Sequence, residues 1–119
     1  SQLYVADSLK KFINVYDLDK EGYPTNQRQF FDMDTGEEGV PDGIKIDTDG
    51  RLYSSGPGGI WVFEPSSENK TGKLIGKILF PEIPANCGWG EDGSTLFVTA
   101  RTGVYKIRLS SKGTSVGPK

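Results

Sequence analysis

Short segments rich in β-branched and aromatic residues follow one another along the whole chain, separated by Gly, Pro, Asn and Asp. Ile44-Lys45-Ile46-Asp47 alternates apolar and polar side chains, which is typical of a half-buried strand. Ile60-Trp61-Val62-Phe63 is apolar on both faces, as expected of a strand covered by a sheet on each side. We count about ten such segments and no amphipathic helix, so the sequence predicts an all-β protein.

The strand pattern repeats along the chain. Asp49-Gly50-Arg51-Leu52-Tyr53 is similar to Asp92-Gly93-Ser94-Thr95-Leu96-Phe97 with one inserted residue, and Leu52 and Leu96 are 44 positions apart. A further copy begins at Leu3, 49 positions before Leu52. Four-stranded propeller blades repeat at about this interval, so the sequence predicts consecutive blades of a β-propeller.

The phase of the repeat predicts about two and a half four-stranded blades. Residues 1–109 form a partial propeller with a blade remnant at 1–34, a full blade at 40–80 and a partial blade at 84–109. A polar, turn-rich C-terminal tail at 110–119 is expected to fray. Since propellers close into rings of four to eight blades, the sequence indicates a piece of a larger protein. A small β-sandwich whose repeats only resemble blades is an alternative.

Composition narrows the possible functions. The net charge is −2 without a basic run, which makes nucleic acid an unsuitable partner. No apolar stretch is long enough for a membrane helix and no signal peptide is visible, so we expect a soluble chain. The sequence does not indicate its cellular compartment. The chain has no His and a single cysteine, Cys87, which excludes a Cys/His metal cluster and a Ser-His or Cys-His nucleophile pair within it. Catalysis would have to use carboxylates, amides, Lys, Arg, Tyr or an oxygen-bound metal.

Asp42 and Asn86 occupy the same position of the repeat. Each directly precedes a strand expected nearest the propeller axis, and they are 44 positions apart, like the two leucines. Both side chains would then point into one central funnel. Converging oxygen groups suit a hard cation such as calcium, which takes six to eight oxygens. Alternatively, the two residues only cap turns, as Asx residues often do.

The same segments carry a resemblance to a known family. Five motifs occur in order: Leu3-Tyr4-Val5-Ala6-Asp7-Ser8, Val40-Pro41-Asp42-Gly43-Ile44-Lys45-Ile46-Asp47, Gly56-Pro57-Gly58-Gly59-Ile60-Trp61-Val62-Phe63, Pro84-Ala85-Asn86-Cys87 and Thr99-Ala100-Arg101-Thr102. Together they resemble the C-terminal half of the gluconolactonase/regucalcin (senescence marker protein) family of six-bladed propellers. The resemblance extends from Leu3 to Leu109.

This resemblance implies a function. The family hydrolyses sugar lactones and related esters with one divalent cation in the funnel, for which calcium is the first candidate and zinc, magnesium or manganese are alternatives. Asp42 stands at the family's Pro-Asp-Gly aspartate, which implies that it is a metal ligand and a candidate catalytic base. The family's other ligands, a glutamate and an asparagine, lie upstream of the residues present here. The chain alone is therefore expected to be inactive or very weak.

Arg101 and Asn86 are candidates for contacts with a substrate. Arg101 ends a strand and would bind the carboxylate of a sugar acid, although a surface ion pair is an equal alternative. Asn86 would contact substrate or metal, and Asp7 is expected to be a turn residue. A different hypothesis is a non-catalytic β-repeat module that binds a partner or another copy of itself through open blade edges.

Overall fold

Every regular element in the described residues is a strand, which confirms the all-β prediction. The structure is a computed structural model that describes residues 1–65 and 71–114. Its strands are β1 Gln2–Asp7, β2 Phe12–Leu18, β3 Pro24–Asp32, β4 Ile44–Ile46, β5 Leu52–Gly56, β6 Gly59–Phe63, β7 Leu74–Leu79, β8 Pro84–Gly90, β9 Thr95–Ala100 and β10 Val104–Arg108. No helix that could span a bilayer occurs among these residues.

The strands form three antiparallel sheets, each ordered as the chain runs. The first sheet is β1-β2-β3, the second is β4-β5-β6-β7 and the third is β8-β9-β10. Strand register repeats between sheets, because Leu52 pairs with Phe63 in the second and Leu96 with Ile107 in the third. Both residues of the pair recur after the same 44 positions. The sheets are therefore consecutive blades of a partial propeller.

The core lies between the sheets, in two clusters. Side chains of the middle sheet alternate between them: Trp61 and Phe63 face the first sheet, whereas Ile60 faces the third. This agrees with the double-sided apolar pattern of β6. The cluster towards the first sheet is Ile13, Val15, Phe30, Met33, Leu52, Trp61 and Phe63, and the cluster towards the third is Tyr53, Ile60, Cys87, Leu96 and Val98.

The segment after β10 pairs with the turn after β4 and with the turn after β8. The amide of Thr48 donates to the carbonyl of Lys112 at 2.7 Å, and the amide of Gly113 donates to the carbonyl of Gly93 at 2.9 Å. The expected fraying is therefore wrong for residues 112–114, because their backbone groups find partners in two neighbouring blades. The last five residues of the predicted tail lie outside the described residues.

Candidate functional site

The loop that leads into β4 is fixed by hydroxyl groups from two blades. The Ser8 hydroxyl, from the turn between β1 and β2, donates to the carbonyl of Pro41 at 2.8 Å. Ser55, which is fully buried in β5, accepts from the amide of Asp42 at 3.0 Å and donates to the carbonyl of Val40 at 3.3 Å. These bonds satisfy loop groups that would otherwise lack partners in a partly buried position.

The next residue, Gly43, joins this loop to the third sheet. Its amide donates to the carbonyl of Ala85 at 2.9 Å. A Cβ at Gly43 would lie 2.0 Å from the Asn86 side-chain oxygen and 2.6 Å from the Asn86 Cα. Only glycine fits this close approach. Together with the bonds from Ser8 and Ser55, the contact means that all three blades hold the Pro-Asp-Gly segment. Asp42 and Asn86 therefore lie at the same end of two neighbouring strands.

Asp42 presents an exposed carboxylate. In the described part of the chain, no donor hydrogen-bonds to that carboxylate and no cation pairs with it. The bond to the Ser55 hydroxyl is donated by the backbone amide of Asp42. A carboxylate that has no partner among the described residues can accept a proton or contact a ligand.

A cleft of about 270 Å³ lies beside this carboxylate. Glu38 and Asp42 line it from the loop before β4, while Pro84, Ala85 and Arg101 line it from the third sheet. The structure therefore brings Asp42 and Arg101, two predicted site residues, to one cleft. The guanidinium of Arg101 is not free, since it forms an ion pair with Glu38.

Asn86 lies next to this cleft without being part of its lining. It is exposed, and its side-chain oxygen accepts from the amide of Cys87 at 2.8 Å. This contact joins two neighbouring residues within β8. Asp7 is a turn residue as predicted, because its carboxylate accepts from the amide of Lys10 at 3.0 Å.

Glu82 holds the turn that carries Arg101. Its carboxylate accepts from the amide of Thr102 at 3.1 Å, from the Thr102 hydroxyl, and from the hydroxyl of Tyr105 at 2.6 Å. The bonds from Thr102 and then Tyr105 lower the pKa of Glu82 below its ordinary value. Sequence reasoning missed Glu38 and Glu82, because their contacts join residues that no repeat or motif relates.

The acidic residues that the structure describes do not make a complete cation site. No group of three or more His, Cys, Asp or Glu residues in the described ranges is placed to hold a metal ion. Asp42 contributes one carboxylate, which is too few oxygens for calcium. Any cation at Asp42 would need ligands from outside the described residues.

Comparison with known proteins shows to which family this chain belongs. The sequence pattern of the SMP-30/Gluconolactonase/LRE-like region matches residues 1–102. The chain belongs to this family. Its sheets are thus blades of an SMP-30/gluconolactonase propeller, as the five ordered motifs predicted.

Members of the SMP-30/gluconolactonase family share both sequence and fold with this chain. A gluconolactonase of Zymomonas mobilis is 38% identical over 123 residues, covering 95% of this chain and 33% of that protein. A regucalcin of Danio rerio is 32% identical, covering 82% and 33% respectively. The crystal structure of a putative gluconolactonase superimposes with a TM-score of 0.77 at 26% identity, covering 97% of this chain and 37% of that one. The chain spans about a third of the length of the curated relatives it matches.

Proposed function

We propose that this chain is part of a divalent-cation-dependent hydrolase of sugar lactones, and that it is inactive or very weak on its own. The observation that carries the proposal is the Asp42 loop, in which bonds from three blades hold an exposed carboxylate beside a cleft. Family membership supports it, since the relative from Zymomonas mobilis is named a gluconolactonase.

We assign Asp42 two parts in this reaction. It is one ligand of the cation, and it is the base that takes a proton from the attacking water. Calcium is the first candidate, and zinc, magnesium and manganese are alternatives. The remaining ligands would come from outside the described residues, which is why the chain alone is expected to lack activity.

Arg101 and Asn86 are assigned to the substrate. The Arg101 guanidinium lines the same cleft as Asp42, where it would meet the acyl end of the sugar. Asn86 is exposed beside Gly43 and would contact sugar hydroxyls through its amide.

Hydrolysis of gluconolactone, followed as acid release with and without added calcium, tests the inactivity of the chain. Residues 1–119 are expected to show no turnover above the spontaneous rate under either condition. Robust turnover by this chain would refute that part of the proposal. In a longer parent protein, Asp42→Ala is expected to abolish hydrolysis, and an unaffected rate would refute the role of Asp42.

A second candidate function is supported by exposed apolar residues on an edge strand. Leu3 and Val5 are each 41% exposed on β1, which ends the first sheet as the structure describes it. Such an edge favours pairing with another copy or a partner, as in a non-catalytic β-repeat module.

A further inference from the structure

The ion pair between Glu38 and Arg101 crosses the cleft. Glu38 belongs to the loop before β4, and Arg101 belongs to the turn between β9 and β10, 63 positions later. The pair therefore connects two blades directly beside Asp42, and any ligand in the cleft lies against it.

The backbone on each side of this pair is anchored, whereas the paired side chains are open to water. The carboxylate of Glu82 fixes Thr102, next to Arg101, and the ammonium of Lys11 donates to the carbonyl of Glu37 at 3.3 Å. The side chains of Arg101 and Glu38 are 60% and 71% exposed. Ion pairs this exposed contribute little, so another carboxylate can replace Glu38 without moving either loop.

Lactone hydrolysis produces a carboxylate that could replace Glu38 beside Arg101. Water adds to the carbonyl carbon, the ring C–O bond breaks, and the ring oxygen leaves as a hydroxyl after taking a proton. The acyl carbon becomes a carboxylic acid, which loses its proton to water at neutral pH. The substrate is neutral and the product carries one negative charge, so a guanidinium in the cleft favours the product unless another anion occupies it.

We propose that Glu38 is a specificity-determining residue that competes with the carboxylate of an open-chain sugar acid for Arg101. The inference rests on the proposed function. A neutral lactone leaves the Glu38–Arg101 pair closed, whereas the anionic acid must displace Glu38 and is released more readily. Glu38 thereby limits inhibition by product.

Titration of residues 1–119 with gluconate at low ionic strength, followed by NMR of the backbone amides around Arg101, tests the inference. Glu38→Gln is expected to tighten gluconate binding about two- to fivefold, the range that corresponds to an exposed ion pair. Arg101→Gln is expected to weaken the binding about two- to fivefold, since it removes an exposed ion pair of the same kind. The matched control is Glu37→Gln, which removes the same charge one residue away from the pair and is expected to change the affinity by no more than about 1.5-fold.

Two results would overturn the inference: equal gluconate affinity in the wild type and Glu38→Gln, or an equal gain in Glu37→Gln, which would reduce the effect to net charge. The titration does not depend on hydrolysis. A gain in gluconate affinity confined to Glu38→Gln supports the inference. If Asp42→Ala in the longer parent protein then left hydrolysis unchanged, that result would refute the proposed function and not this inference. The cleft would remain a binding site for sugar acids.

Discussion

At the scale of single residues, Asp47 shows how a buried charge is accommodated at the turn after β4. It is 1% exposed, and its carboxylate accepts from the amides of Asp49 and Arg51 at 2.9 Å each. The guanidinium of Arg51 and the hydroxyl of Tyr53 each donate to its other oxygen at 3.0 Å. Burial raises the pKa of Asp47, but these bonds outweigh burial and hold the pKa below 3.8.

Asp47→Asn is expected to lower the free energy of unfolding by about 2–3 kcal/mol, because an amide nitrogen would face the donors of Arg51. Urea denaturation at pH 7 measures the loss. The matched control is Asp49→Asn, whose side chain is 64% exposed and is expected to cost less than about 1 kcal/mol. Equal losses in the two variants would show that the Asp47 network does not stabilise the fold.

The stability of the wild type should also depend on pH through Asp47. Since the pKa in the folded state is lower than in the unfolded state, the stabilisation is complete above pH 3.8 and is lost as the pH falls through the lowered folded pKa. The difference in stability between wild type and Asp47→Asn should narrow below about pH 4. A difference that stays constant between pH 6 and pH 3 would contradict this account.

At the scale of elements, the loop before β4 depends on contacts from strands that are remote in sequence. Ser54 and Ser55 are both fully buried in β5, but they point to opposite faces. Ser55 bonds to Asp42 and Val40, whereas the Ser54 hydroxyl donates to the carbonyl of Ser55 at 2.9 Å and contacts the sulfur of Met33 at 3.8 Å. The two serines therefore form a matched pair for a test.

Ser55→Ala is expected to make the Asp42 amide exchange its hydrogen roughly 2- to 10-fold faster, because the acceptor of that amide is removed. Hydrogen exchange followed by NMR measures the rate. Ser54→Ala should leave the exchange rate of Asp42 unchanged. If both variants accelerate it equally, general loosening rather than the loop contact is the cause.

Gly43 and Gly76 offer a second matched pair. Gly43→Ala is expected to cost about 1–3 kcal/mol, because the new Cβ would meet the Asn86 backbone at 2.6 Å. A Cβ at Gly76 in β7 meets nothing within 4 Å, so Gly76→Ala is expected to be neutral or stabilising by up to about 1 kcal/mol. Thermal unfolding measures both variants, and an unchanged melting temperature in Gly43→Ala would refute the close approach of β4 to β8.

The blades were predictable because the strand register repeats at the same interval as the sequence motifs. Leu52 and Leu96, for example, occupy equivalent positions in both the sequence and the sheets. The same interval of 44 positions predicted that Asp42 and Asn86 precede equivalent strands of neighbouring blades. The pairing of Glu38 with Arg101 was not predictable, since a tertiary contact between exposed charges leaves no periodic signal. Fraying was the wrong expectation for residues 112–114, because polar composition does not show that backbone groups of two blades are available to them.

At the scale of the whole molecule, the exposed edge strand predicts self-association. We expect the sedimentation coefficient of residues 1–119 to rise with concentration, because Leu3 and Val5 lie exposed on β1. The double substitution Leu3→Lys and Val5→Lys should abolish the rise. Leu9→Lys is the control, since Leu9 is 96% exposed but lies in the turn after β1. A wild type that stays monomeric at all concentrations would count against assembly through this edge.

The central claim is that this chain supplies the Asp42 carboxylate to a cation-dependent lactonase ring, and a chimera tests it most directly. In it, residues 1–119 replace the matching third of the gluconolactonase of Zymomonas mobilis. We predict cation-dependent hydrolysis of gluconolactone by the chimera, and a loss of at least about 100-fold in kcat/KM with Asp42→Asn at an unchanged melting temperature. A chimera that hydrolyses gluconolactone equally well with Asp42→Asn would contradict the account.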